Sequence, residues 1–129
     1  MKSSSFQFVH PYLVELAFNS NENFEVVADD IEIKNSANVN VKKNKDNNSA
    51  SVELEFTIST GDDNGPFVIT AKVASDFIWD DSIDEETVDK LLNLNAPALL
   101  LGFLRPIIAN VTNVSKFPVY NIPFINLIS

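Results

Sequence analysis

The chain has 129 residues, 45% of them hydrophobic, with 18 acids against nine bases, a net charge of −9, and no cysteine. That composition is globular. Its field repels phosphate backbones and anionic membrane faces and attracts basic partners, and the absence of thiols excludes disulfides, zinc–thiolate centres and cysteine catalysis.

From Phe6 to Phe18 the even positions read Phe6, Phe8, His10, Tyr12, Val14, Leu16 and Phe18. Period-two alternation of this kind predicts a strand with one strongly aromatic face. Pro11 has no N–H to donate to a ladder, which places the strand at a sheet edge or predicts a bulge. Asn19 to Asn23 reads as a polar crossover. Ile31, Ile33, Val39 and Val41 predict a second strand, interrupted near Asn35-Ser36, and a charged, Asn-rich loop follows at 42–49. The third strand sets Val52, Leu54, Phe56 and Ile58 against Glu53, Glu55, Thr57 and Ser59. Gly61 to Gly65 makes a hairpin connection, and a fourth strand runs from about Phe67 to Ala74.

Beyond residue 80 the period changes. Ser82-Ile83-Asp84-Glu85 has the spacing of a capping box, with Val88, Leu91 and Leu92 following at helical intervals. A second helix starts at Asn95, with Pro97 in its first turn, and reaches about Val114. Leu99, Leu100, Phe103, Leu104, Ile107 and Ile108 are apolar on more than one side of it. Such a helix needs cover on both faces. In a chain this short the second cover comes from another subunit, so these six residues are the expected oligomer interface. The greasiest stretch, 96–109, is too short to cross a bilayer and contains Arg105 and Pro106, and the N-terminus lacks a signal-peptide core. The expectation is a soluble cytoplasmic α+β protein with one domain over 1–129, strands at about 6–79 and helices at about 82–129.

No catalytic chemistry assembles from these residues. His10 is the single histidine and has no nucleophile or orienting group in view, so it reads as a packed or interface residue. The acids Asp76, Asp80, Asp81, Asp84, Glu85, Glu86 and Asp89 lack calcium-loop spacing and suit a helix N-terminus on dipole grounds. Lys42, Lys43 and Lys45 read as a solvated loop that discourages edge aggregation. Three glycines cannot build a phosphate cradle. The expectation is a non-enzyme with no metal and no cofactor. Ten Phe against one Trp and two Tyr favour instead an apolar surface without polar handles.

Several stretches together resemble the SecB family of protein-export chaperones. They are Phe6-Gln7-Phe8 with Tyr12 and Glu15-Leu16-Ala17-Phe18; Thr57 to Gly61 with Phe67 and Phe77-Ile78; and Asn95-Ala96-Pro97, Leu101 to Arg105, Phe117-Pro118, Asn121-Ile122-Pro123 and Asn126. The resemblance implies a four-stranded antiparallel sheet with C-terminal helices packed on one face. It also implies subunits paired edge to edge and stacked through their helices as a dimer of dimers, a homotetramer. On that basis the chain is expected to be a holdase for unfolded or precursor polypeptides; the alternative is a SecB-fold protein dedicated to one partner, such as an antitoxin or a mobile-element protein. Phe18, Phe24, Phe77, Ile78, Trp79, Phe124 and Leu127 are the expected client-binding residues. Glu15 matches a position at which the family docks the SecA motor, but Asn19 and Thr70 stand where further acids are expected.

Overall fold

The computed structural model describes residues 5–22, 24, 33–44, 46–59 and 65–123. The elements are β1 (Phe6–Phe8), β2 (Tyr12–Ser20), β3 (Lys34–Asn44), β4 (Ser49–Ser59), β5 (Phe67–Trp79), α1 (Glu85–Lys90) and α2 (Ala96–Asn113). All strand pairs are antiparallel, in the order β1–β5–β4–β3, with β2 also on β5. Because β1 and β2 lie end to end along one edge of β5, the sheet is four strands wide with its first strand broken. Most of the predicted hairpin at 61–65 lies outside the described residues.

The core follows from alternation. Val52, Leu54, Phe56 and Ile58 of β4 have no exposed surface, nor do Ile69, Ala71 and Val73 of β5. They form one apolar sheet face, and the helix lies across β4 and β5 on that face. β3 is continuous through Asn35-Ser36, paired residue for residue with β4 from Lys34 to Asn44. β5 runs on past Ala74 to Trp79 because β4 pairs with it as far as Ile78 and β1 supplies a partner on its other side for Phe77, Ile78 and Trp79. The β3–β4 turn closes through Asn48 at φ 50°, a left-handed conformation that Asn tolerates.

The N-terminal edge departs from simple alternation twice. Between the pairs Phe8↔Phe77 and Tyr12↔Ala74 the edge advances four residues while β5 advances three. Between Leu13↔Val73 and Glu15↔Lys72 it advances two against one. Each extra residue reverses the face, and two reversals cancel. Phe6, Phe8, Leu16 and Phe18 therefore share the helix side as expected, whereas Tyr12 turns to the other side and Leu13 replaces it. Pro11 sits in the break, where the Val9 N–H reaches the Asp76 carbonyl at 2.7 Å. His10 is exposed there, not packed.

The two expected helices are one continuous run from Glu85 to Asn113. A π-helical turn at Leu91–Asn95 joins α1 to α2. Its wide hydrogen bonding makes room for Pro97, which has no N–H to return to the preceding turn. The turn also corrects the apolar stripe. Buried Val88, Leu92, Ala96, Leu100, Leu104, Ile108 and Thr112 recur every four residues, a spacing that drifts about 40° per step on an ideal α-helix. One inserted residue takes back about 100° of that drift. The run is long and apolar enough to cross a membrane, but its inner stripe is packed on the sheet.

The predicted capping box does not form. The Ser82 hydroxyl and N–H both turn back to the Asp80 carboxylate, Asp84 is the N-cap, and no side chain caps the helix. Lys43 is not a free loop lysine either. It is the next-to-last residue of β3, with its ammonium 2.9 Å from Asp89 and 3.6 Å from Glu85. The hydrogen bond that it donates to the Asp89 carboxylate raises its pKa above the ordinary lysine value.

Candidate functional site

Two aromatic clusters occupy the ends of β5 on the helix side. At one end Phe6 stacks on Phe77 with ring centroids 5.6 Å apart and on Trp79 at 6.1 Å, and Phe8 reaches Phe77 at 6.3 Å. At the other, Phe18 stacks on Phe67 at 5.8 Å. Phe117 and Tyr120 approach Phe67 at 5.8 and 6.5 Å, and Phe24 meets Phe117 edge-on at 5.9 Å. Phe67 and Phe77 are ten residues apart along one strand, so the clusters are separated by about 33 Å.

Beside the first cluster an apolar groove of about 230 Å³ opens between the strand break and α2. Phe8, Pro11, Ser75, Phe77, Leu99, Leu100 and Phe103 line it. Its one polar side chain is spent, because the Ser75 hydroxyl donates to the Val9 carbonyl at 2.8 Å. The groove is smaller than the roughly 300–1,000 Å³ of small-molecule sites and has no free polar group to orient a metabolite. Its dimensions and lining suit a large apolar side chain. Phe8 is 49% exposed at its mouth and Leu99 48%.

A second cavity of about 290 Å³ lies between Lys43, Asn44, Asn48, Trp79, Ile83, Glu85 and Val88. Its polar groups are already partnered: Lys43 with Asp89 and Glu85, and Asn48 with Asp81 at 2.6 Å. Asp80, Asp81, Glu85, Glu86 and Asp89 of the acidic segment are thus used in structural bonds. Among the described residues no three His, Asp or Glu side chains are placed to hold a metal ion.

The expected site residues separate in space. Phe77 and Trp79 face the helix, Phe77 fully buried as the floor of the groove, while Ile78 points to the opposite sheet face and is 43% exposed. Phe18 and Phe24 belong to the distal cluster. Phe124 and Leu127 lie outside the described residues. Sequence reading passed over Phe8, although its place on the aromatic face marked it, and over Phe67, Phe117 and Tyr120, which only the return of the chain after α2 brings together.

The expected oligomer interface divides likewise. Leu100, Leu104 and Ile108 are buried against their own sheet and have no surface left for a partner. Leu99 is exposed, and Phe103 and Ile107 are half-buried. Phe8, Val9, Tyr12, Leu13 and Val14 add an exposed apolar run along the N-terminal edge. On the outer sheet face Glu15 is exposed opposite Lys72, whose ammonium also lies 3.8 Å from Glu53 and 3.5 Å from Glu55.

The family described as preprotein translocase subunit SecB matches residues 1–129. No curated protein matches the chain in sequence. Among solved structures, the fold is similar to a Mycobacterium tuberculosis SecB-like chaperone in complex with a ChAD peptide from the HigA1 antitoxin. The TM-score is 0.72 at 11% identity, over 94% of this chain and 88% of that one. It is also similar to a protein of unknown function from Streptococcus agalactiae, with TM-score 0.51 and 14% identity over 95% and 100% of the two chains. The order of strands, the single long helix laid across them and the match along the whole length agree: this chain belongs to the SecB family.

Proposed function

We propose that the chain is a cytoplasmic, non-enzymatic holdase that binds unfolded polypeptide segments through apolar side chains. The observation that carries this reading is the groove between Phe8, Phe77, Leu99 and Phe103, which is open, apolar and has its one hydroxyl already bonded. Burying one large client side chain yields about 1.5–3 kcal/mol before entropic costs. Firm holding therefore requires several grooves acting on one client, as a homo-oligomer provides through effective concentration. The exposed N-terminal edge and the stripe Leu99, Phe103 and Ile107 are the surfaces through which copies would pair, in a dimer of dimers, with Phe8, Leu99 and Phe103 at the border that this contact shares with the groove. Light scattering of an aggregating client tests the reading. Suppression at stoichiometric chaperone supports it, and unimpeded aggregation at severalfold excess overturns it.

A second reading, a chaperone dedicated to one partner, draws on the likeness to the antitoxin-bound mycobacterial structure. A pull-down separates the two: many unrelated clients favour the general holdase, one stoichiometric partner the dedicated form. Docking of the SecA motor through Glu15 is a further element of the proposal. Lys72 opposite Glu15 reduces the acidic field there, and Glu15→Lys should abolish a SecA complex if that carboxylate is the contact.

A further inference from the structure

We propose that residues 116–123 form a strap that fills the distal aromatic cleft and lifts to let a client in; this rests on the holdase reading above. Phe117 and Tyr120 occupy the space a client's aromatic residues would take. Phe117 sits between Phe67 and Phe24, and Tyr120 packs edge-on to Phe67, whose other neighbour is Phe18. Phe67 is 5% exposed with the strap in place. Removing the strap would uncover Phe18, Phe24 and Phe67 together.

Apart from Ile122, which is buried in the core, the attachment of this segment differs from that of the core. It belongs to no strand or helix, and Pro118 and Pro123 have no N–H to pair. It is held mainly by side chains at its margins. The Arg105 guanidinium donates to the carbonyls of Ile122 at 2.6 Å and Pro123 at 3.1 Å. Thr112 Oγ1 accepts the Tyr120 N–H at 2.8 Å, Asn35 Nδ2 donates to the Tyr120 hydroxyl at 2.9 Å, and Lys116 donates to the Glu22 carbonyl at 3.2 Å. Lys116, Pro118, Val119, Asn121 and Pro123 are exposed, so the apolar hold on the segment comes from three residues, core-buried Ile122 and partly buried Phe117 and Tyr120. Segments with these properties open below the global unfolding free energy. A client's apparent affinity then falls with the fraction of molecules that hold the strap closed. Arg105 is the latch: a positioning residue that touches no groove.

The test compares the full chain with Arg105→Ala and with the milder Tyr120→Phe, which removes the hydroxyl bonded to Asn35. Three readouts are taken: amide exchange of residues 116–122, binding of the dye bis-ANS, and affinity for reduced, carboxymethylated lactalbumin as a permanently unfolded client. Strap exchange and dye binding should rise severalfold while amides of β4 and β5 stay protected. The client dissociation constant should fall about tenfold for Arg105→Ala and less for Tyr120→Phe. Weaker client binding in both variants would make the segment part of the binding surface and overturn the proposal. So would strap amides that exchange no faster than the core. Faster strap exchange with no client bound by any form would overturn the holdase reading and support the strap.

Discussion

Replacing Leu99 with alanine, with Leu104→Ala as the matched control, tests the claim that the helix presents one face to its own sheet and another to a second copy. The two residues are of one type on one helix, but Leu104 has no exposed surface and Leu99 is 48% exposed. Full burial of a leucine is worth about 1.5–3 kcal/mol. The half of Leu99 left uncovered therefore has about 0.7–1.4 kcal/mol to contribute to association. A two-fold contact uses it twice, so Leu99→Ala should weaken subunit association by about 1.4–2.9 kcal/mol, or about 10- to 100-fold. Leu104→Ala should act on folding, at about 2–5 kcal/mol, through a cavity beneath the helix. Sedimentation equilibrium over a wide concentration range reads the first effect, and urea denaturation reads the second. If Leu99→Ala leaves the mass distribution unchanged while Leu104→Ala disperses the oligomer, the assignment of faces is wrong.

Gly102 lies exposed on α2 with nothing within 4 Å of the place a Cβ would take. Gly102→Ala should stabilise the isolated subunit by about 0.5–1 kcal/mol in thermal melts, and a loss of oligomer in the same variant would mean that a second helix approaches closely there. Buried Thr112 donates to the Ile108 carbonyl at 2.9 Å and accepts the Tyr120 N–H. Thr112→Val should cost about 1–3 kcal/mol in urea denaturation by leaving that N–H unpaired. The raised pKa of Lys43 means that its tie to Asp89 is fully present below the ordinary lysine value and lost as pH rises through the folded value. Because the pair is solvent-screened, the loss should stay below about 1 kcal/mol in alkaline melts and vanish in Lys43→Met.

The β4 core was plain in the sequence because Val52, Leu54, Phe56 and Ile58 alternate with polar residues over a strand buried on one face. β5 was undercounted for a non-local reason: Asp76 breaks the apolar pattern, and what keeps Phe77 to Trp79 in the sheet is pairing on both sides, with β4 as far as Ile78 and with β1, about seventy residues away. The start of α2 at Asn95–Ala96 was legible from Pro97; what was missed is that the preceding helix runs into it without a break, which only the π turn allows. The capping box failed because the Asp80 carboxylate, two residues before Ser82, accepts from both the Ser82 hydroxyl and its N–H, and so turns that hydroxyl away from the helix N–H groups it would have to accept from. Apolar content alone marked the helix as double-faced. Which of its leucines face inward depends on a phase that the π turn resets, so Leu100, Leu104 and Ile108 were not separable from Leu99 by inspection. The groove was half legible: Phe77 was among the expected residues, while Phe8 and Leu99 meet it only once the strand break and the helix are in place.

The paired irregularities of the N-terminal edge make that stretch count its residues in twos. Losing one residue between Val9 and Val14 would leave a single reversal, sending either Phe6 and Phe8 or Leu16 and Phe18 through to the polar side of the sheet. Losing one at each site would straighten the edge and preserve the aromatic wall. Chain length here can therefore drift by even steps at little cost, and a relative shorter by one residue must carry a compensating change within the same few positions or rebuild the groove.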